Sequence, residues 1–563
     1  MSDITCSESG APDRDLGMGR PLSRRDFLDG VAMSAGLATL GSWEGRAAAP
    51  EMPHTATSAP DLTQLQGDTA QALSVPHALR DGRFWEHAGP AVPTGESYDL
   101  VVVGAGVSGM SAAAEWLRGN PDARVLILDN HDQLGGHRRR SGHAPYDSVM
   151  CDRETFPVET LIRHEHRTTA EEWIGRLPVA DRARKDLLRL YRDAPDWYPR
   201  LSPEEKQERL AGLTYSDFLL KVCRAHPDVE RFCRTMSSAE WAYGTRAFGA
   251  IDAWGSARGW AYPGFDGLGL DTGKPSRFNS PTIQQEWRRP HREARAQVRE
   301  LADQLIPGFA ALDRLSPAAL DRPGSRVRLR LSSPVVSVRD GGPGATVGYF
   351  DGHGVSTVDA GAVILACWST VIPYLVPDLP AAQREALAGA VRMPLVEAVV
   401  RLRDRSAWDR VGVTRTRWTG AYWCLTELDE PAGGPVSARL VAAPCRSELG
   451  PAEGAVAGRR ALIRTPYSVL EYSARDQLTR LLGPGGFDPV RDIEAIEIHR
   501  WGHGHAPEYC RPWHAFYPDG PFPAEIARRR FGRIAIAGSD SVAAGRGGAA
   551  VAAAHRAAGE LSA

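Results

Sequence analysis

Residues 98–117 read YDLVVVGAGVSGMSAAAEWL. Leu100 to Val103 form an apolar, largely β-branched run, the composition of a strand buried on both faces. Gly104, Gly106 and Gly109 then match G-x-G-x-x-G. The first glycine permits a tight turn and the second lets backbone approach a pyrophosphate. The third lets the following helix pack on the strand, with its N-terminus and Ser108 facing the phosphates. That helix is predicted to run from Ser108 to Arg118 and to stop before GNPDA. A second strand, ARVLILD, closes on Asp129, 20 residues past Gly109, where a carboxylate accepts hydrogen bonds from a ribose. Strand, turn, helix, strand and terminal acid in this order predict a dinucleotide site on an α/β, Rossmann-like domain.

Two more stretches favour FAD over NAD. NHDQLGGHRRR follows the acid directly, placing Gly135 and Gly136 where backbone can meet the pyrophosphate and ribityl chain of a flavin. At the far end, FGRIAIAGSDSVAAGRGGAAVAAAHRAAGEL reads as a strand over 533–537, a turn at Gly538, and an Ala-rich helix. Asp540 is placed to bind a ribityl hydroxyl, and the helix N-terminus after Gly547 and Gly548 to face the ring or its phosphates. Between them, SRVRLRLSSPVVSVRD, ATVGYF and GAVILACWS read as short strands, with the backbone of Val336 meeting the adenine. The expected fold is a discontinuous two-dinucleotide-binding domain over 96–155, 322–372 and 530–563. A mixed α+β substrate domain, helical over 156–321 and sheet-forming over 373–529, fills the gaps, and the flavin lies between the two domains.

Composition narrows the alternatives. The net charge of -2, with basic residues scattered among acids, gives no field for nucleic acid. The eight cysteines include no CxxC and no CxxCH, which argues against a zinc, iron–sulfur or covalent haem site; they read as buried free thiols. No metal site is expected. The front of the chain carries SRRDFLDGVAMSAGLATLG, with Arg24 and Arg25, and then GRAAAPEMP, with Ala47 and Ala49 in a small-x-small pattern. These resemble a twin-arginine signal over 1–49, so the protein is expected to be exported to the periplasm or beyond. The apolar run is broken by Asp29 and is too short for a stable membrane span. Residues 50–95 read as a linker with one short helix.

From residue 98 to the C-terminus the chain resembles the flavin-containing amine oxidoreductases, and among them the bacterial spermidine dehydrogenase group. The matching stretches are LILDNHDQLGGHRRR, CDRETF, LSPEEKQERLAGLTYSDFL, DAWG with YPGFDGLGLD, RWGHGHA, and GRIAIAGSD with AAHRA. The resemblance implies FAD and a small-molecule amine substrate, polyamine-like or secondary. It further implies hydride transfer from the carbon next to nitrogen to flavin N5, then hydrolysis of the imine. Some relatives hold haem b as an electron relay; the electron acceptor of this chain is left open. Two stretches depart from the family: TGKPSRFNSPTIQQEWRRPHREAR after GLGLD, and VAAGRGGAA where a Tyr-Thr-Asp run is expected. A desaturase or oxidase of another metabolite shares the same plan, as does a non-catalytic flavin- or haem-binding homologue.

An amine pocket needs aromatic walls and an acid for any second ammonium. Candidates are Glu240, Trp241 and Tyr243 in AEWAYG, Asp252 and Trp254 in DAWG, and Trp260, Tyr262, Phe265 and Asp266 in GWAYPGFDG. HRWGHGHAPEYC adds Trp501, His503, His505, Glu508 and Tyr509. Against each stands a bland alternative: core packing for the rings, turn capping for the acids. On a strand, His503 and His505 would share a face. His164 and His166, set among charges, read as surface. A buried apolar site lowers an ammonium pKa without a dedicated base, so no general base is assigned.

Overall fold

The computed structural model describes residues 64–68, 70–132, 135–136, 146–163, 168–256, 262–270, 317–430, 435–514, 521–545 and 547–562. The twin-arginine stretch, Trp260, His164, His166 and the divergent segment from residue 271 lie outside them.

The apolar strands select two sheets. The first has the order β6 (Val327–Arg330), β3 (Val125–Leu128), β2 (Val92–Val103), β9 (Val355–Leu365), β8 (Ala345–Phe350), β7 (Val335–Asp340). β15 (Ile534–Ile536) runs parallel to the C-terminal end of β9, Ile534 opposite Val363. β2 is parallel to both β3 and β9, Leu100 facing Val125 and Ala362, while β7 and β8 add an antiparallel edge. Leu100 to Val102 are fully buried, as a central parallel strand with covered faces requires. The helices Val107–Gly119 and Gly547–Ser562 share one of those faces: Ala112 and Ala113 pack in the same cluster as Ala554, Ala557 and Ala558. Strands from three distant stretches therefore form one sheet.

The second sheet has the order β1 (Gln64–Gly67), β14 (Ile493–His505), β10 (Met393–Leu402), β13 (Ser437–Ala442), β12 (Leu425–Asp429), β11 (Arg415–Trp418), β4 (Ser148–Cys151), β5 (Thr160–Arg163). Alternation decides its faces. Val396, Ala398 and Val400 pack with Leu470, Ala474 and Leu478 of the helix Tyr467–Leu482. Leu395, Val399 and Arg401 face the other way, into the cavity described below. β4 falls within the stretch expected to close the first nucleotide-binding segment, yet it pairs in this second sheet with β11 and β5. Helices among 170–255 build a separate aromatic core and begin on S/T-x-x-E capping boxes at Thr169/Glu172 and Ser202/Glu205.

The linker expectation is corrected from residue 64 onward. β1, the helix Ala70–Arg80 and the helix Phe84–His87 occupy that stretch. Val75, Ala78 and Leu79, at helical spacing, are buried with Val335, Val338 and Leu365. A Pro- and Ala-rich composition masked that short apolar stripe. Among the described residues, no helix is long and apolar enough to cross a membrane.

Candidate functional site

A cavity of about 710 Å³ opens between the two sheets. That volume suits a large ligand held in a largely formed site. Its wall includes Gly104, Gly106, Ser108, Asp129, Gly135 and Gly136 from the front of the sheet, Ala366 to Trp368 after β9, and Gly538, Gly545 and Gly547 from the chain's far end. Leu395, Trp501 and His505 close the side given by the second sheet.

The turn after β2 leaves no room for a side chain at its first and third glycines. Gly104 has φ +108, and a Cβ there would lie 2.8 Å from the Ala366 carbonyl oxygen. A Cβ on Gly109 would sit 1.8 Å from the Gly104 oxygen, so the helix could not close onto the strand. Gly109 itself lies beneath the wall, where it sets packing. The backbones of Gly106 and Gly135 form an isolated parallel bridge, bringing the second glycine pair against the first. The Gly538 amide donates to the Ser108 hydroxyl at 2.8 Å, joining the two chain ends at the cavity. These residues suit a dinucleotide: a backbone cradle at a helix N-terminus for the phosphates and a carboxylate at the end of β3 for a ribose.

Asp129 accepts from the Ala105 amide on Oδ2 at 2.5 Å and from the His131 amide on Oδ1 at 2.7 Å. His131, also in the wall, has Nδ1 3.3 Å from Asp129 and Nε2 3.1 Å from Asp68. Burial alone would lower its pKa, but the hydrogen bonds its ring donates to both carboxylates, with their charges, outweigh that and raise it to about 10. His131 is therefore an imidazolium at neutral pH. Its ring lies 5.4 Å from that of Trp501 and 6.0 Å from that of Trp368.

Two cofactor expectations are corrected. Asp540 is buried and absent from the wall: Arg392 is hydrogen-bonded to its Oδ1, and the Ser369 amide donates to Oδ2 at 3.0 Å. A carboxylate this deep requires a cation, and it is Arg392 that reaches the cavity. Val336, the second residue of β7, is fully buried in the core, and its neighbours Pro334 and Val335 line the cavity instead. A register shift between Val335 and Ser337 sets which residue faces out.

The pocket candidates divide. Trp501 lines the cavity. His503 and His505 do not share an environment, because β14 gains two residues on β10 between the pairs Met393–His505 and Leu395–Trp501. His505 enters the wall, with Nδ1 2.9 Å from the Ala506 carbonyl, so in the neutral ring Nδ1 donates and Nε2 is the acceptor. The His503 ring lies 4.8 Å from that of Trp368, tilted by 36°, and burial followed by the nearby Arg459 charge lowers its pKa to about 3. Glu240, Trp241, Asp252, Trp254 and Tyr262 are not in the wall. Trp241, Trp254 and Tyr262 belong to the helical core, while Ala239, next to Glu240, packs with the wall residue Leu395. Tyr146 packs against the same Ala239–Leu395 group, and burial first, then the Glu240 and Tyr146 charges, push the Tyr262 pKa well up. Tyr243 donates to the Glu508 carbonyl, and Phe265 stacks on Phe218, both packing roles.

Sequence reasoning missed His131, Trp368, Arg392 and Leu395. His131 had a signal, lying two residues past the ribose acid, and Trp368 follows a buried strand. Arg392 and Leu395 had none.

The sequence pattern of the NAD(P)-binding Rossmann-like domain matches residues 102–160, and that of the flavin containing amine oxidoreductases matches residues 292–562. Oxidoreductase PigB of Serratia sp. (strain ATCC 39006) is 33% identical over 78 residues, 13% of this chain. That stretch spans 11% of the relative's length. Two solved structures show the same fold at low identity. Cyclohexylamine oxidase from Brevibacterium oxydans IH-35A is 15% identical, covering 82% of this chain and 98% of that one, with a TM-score of 0.50. A putative protoporphyrinogen oxidase from Exiguobacterium sp. 255-15 is 13% identical, covering 83% and 99%, also with a TM-score of 0.50. The family matches imply FAD. Residues 102–160 thus carry a Rossmann-like nucleotide-binding segment, and residues 292–562 are similar in sequence pattern to the flavin containing amine oxidoreductases.

Proposed function

We propose that this chain is an FAD-dependent amine oxidoreductase whose substrate is a polyamine-like or secondary amine. The observation that carries the reading is the meeting, in one cavity, of the glycine turn, the C-terminal turn and an aromatic wall from the second sheet. FAD, when bound, supplies the acceptor for hydride from the carbon next to the substrate nitrogen. Everything else falls to the chain. The amides of the turn and the N-terminus of the helix Val107–Gly119 face the phosphates. Asp129 takes a ribose hydroxyl. Gly104, Gly106, Ser108, Gly135, Gly136 and Gly538 provide the close backbone approach.

Trp501 and Leu395 exclude water from the substrate side. The apolar stretch of the wall at Leu395, Val399 and Trp501 disfavours an ammonium and favours a neutral reacting nitrogen. Glu240, the acid expected to meet a second ammonium, lies beside Ala239, which packs with the wall residue Leu395 and with Tyr146. The export reading of the first 49 residues fits an enzyme loaded with cofactor before it crosses the membrane, and it is proposed on sequence alone.

The test is an absorption spectrum of the purified protein, followed without oxygen as spermidine, putrescine and a secondary amine are added. Flavin bands that bleach with one of these amines support the reading. Protein that neither retains nor takes up FAD, or flavin that no amine reduces, would overturn it.

A further inference from the structure

We infer that Asp68 is a positioning residue for the cofactor: it holds His131, and through it the Asp129 carboxylate, in the orientation that receives a ribose hydroxyl. This rests on the flavin reading and deepens it. Asp68 lies just past β1, which pairs in parallel with β14 at the edge of the second sheet. It is buried, its amide donates to the Arg500 carbonyl at 2.7 Å, and its Oδ2 accepts from the Gly502 amide at 2.8 Å. Backbone on both sides therefore fixes the carboxylate, leaving Oδ1 on His131 Nε2.

The consequence appears at Asp129. A carboxylate offers about four acceptor positions. The Ala105 amide takes one on Oδ2, while the His131 amide and Nδ1 take two on Oδ1. One position remains, on Oδ2 of a residue that lines the cavity. With His131 anchored at both ring nitrogens, Asp129 cannot rotate to spend that position elsewhere. The neighbouring Asn130 is tied to the same segment, its Nδ2 donating to the Ala72 carbonyl at 2.7 Å. A stretch that composition reads as linker thus grips the loop after β3 at two successive residues, and Pro76 from its helix enters the cavity wall.

A double-mutant cycle on the full chain tests this, with FAD affinity of the deflavinated protein read by fluorescence quenching. Asp68→Asn keeps an acceptor for Gly502 but removes the charge facing His131. It is expected to weaken FAD binding roughly tenfold, the scale of one charge-assisted hydrogen bond. In the Asp129→Asn background the same change should have no further effect, and Asp68→Glu should recover part of the loss. Should Asp68→Asn fail to fold, His131→Gln replaces it in the cycle with the same expected coupling to Asp129→Asn. An unchanged affinity, or the same loss in both backgrounds, would overturn the role of Asp68 while leaving the flavin reading intact. Wild-type protein that takes no FAD would overturn both.

Discussion

Asp252 shows how one side chain departs from its sequence reading. The sequence places it among the pocket candidates, yet it lies wholly buried in the helical region, where its Oδ2 accepts from the Arg511 amide at 3.0 Å. Burial raises its pKa to about 8, against a smaller opposing effect of that amide. The folded state therefore favours the neutral acid, and the unfolded chain ionises near the ordinary value of 3.8. The stability this group contributes is full below about pH 4 and is lost as pH rises through 8. Asp252→Asn retains the acceptor for Arg511 and removes the ionisation. It is expected to gain on the order of 1 kcal/mol over wild type per pH unit across that window. Urea midpoints of both proteins at pH 5 and pH 7.5 check this, and a gap that stays constant between them counts against it.

At the scale of elements, β14 does most to shape the substrate side. Its irregular pairing with β10 breaks the alternation that would have put His503 and His505 on one face. Gly504 makes the irregularity possible: a Cβ there would stand 2.6 Å from Leu395 Cβ and 2.8 Å from Trp501 Cβ. Both atoms are fixed to backbone, so relief requires the strands to part. Gly504→Ala is expected to destabilise the protein by about 1–3 kcal/mol and to weaken flavin retention, since Leu395 and Trp501 both line the cavity. Thermal unfolding and the flavin-to-protein ratio check it together. The glycine turn after β2 is the opposite case. Its strand, three glycines, helix and closing acid were legible residue by residue, because the positive φ at Gly104 and the closure of Gly109 onto the Gly104 carbonyl are demands within a dozen positions. Nothing comparable marks a bulge, whose second strand lies about a hundred residues away.

Across the whole molecule, a few buried polar ties hold the two sheets around the cavity. Arg392, just before β10, is bonded to Asp540 and donates to the carbonyls of His503 at 2.6 Å and Gly504 at 3.0 Å. It binds the C-terminal turn to the second sheet. Arg392→Met leaves Asp540 buried without its cation and is expected to cost about 3–5 kcal/mol. Adding Asp540→Asn should return a substantial part of it. Denaturant unfolding of the single and double variants measures the recovery, and a double variant no better than Arg392→Met would count against a charge-pair origin.

The sequence by itself determined the nucleotide-binding half of this protein: a Rossmann-like unit that returns for its last strand and helix at the C-terminus. It could do so because turn, strand and helix signals act over short spans of backbone. Tertiary structure alone decided the rest. It placed Asp540 behind Arg392, sent Trp241, Trp254 and Tyr262 into the helical core, and carried Asp68 from an apparent linker onto His131. The physical reason is the same in each case. A buried charge or ring takes whichever partner the packed fold brings to it, and those partners come from distant parts of the chain that share no local pattern.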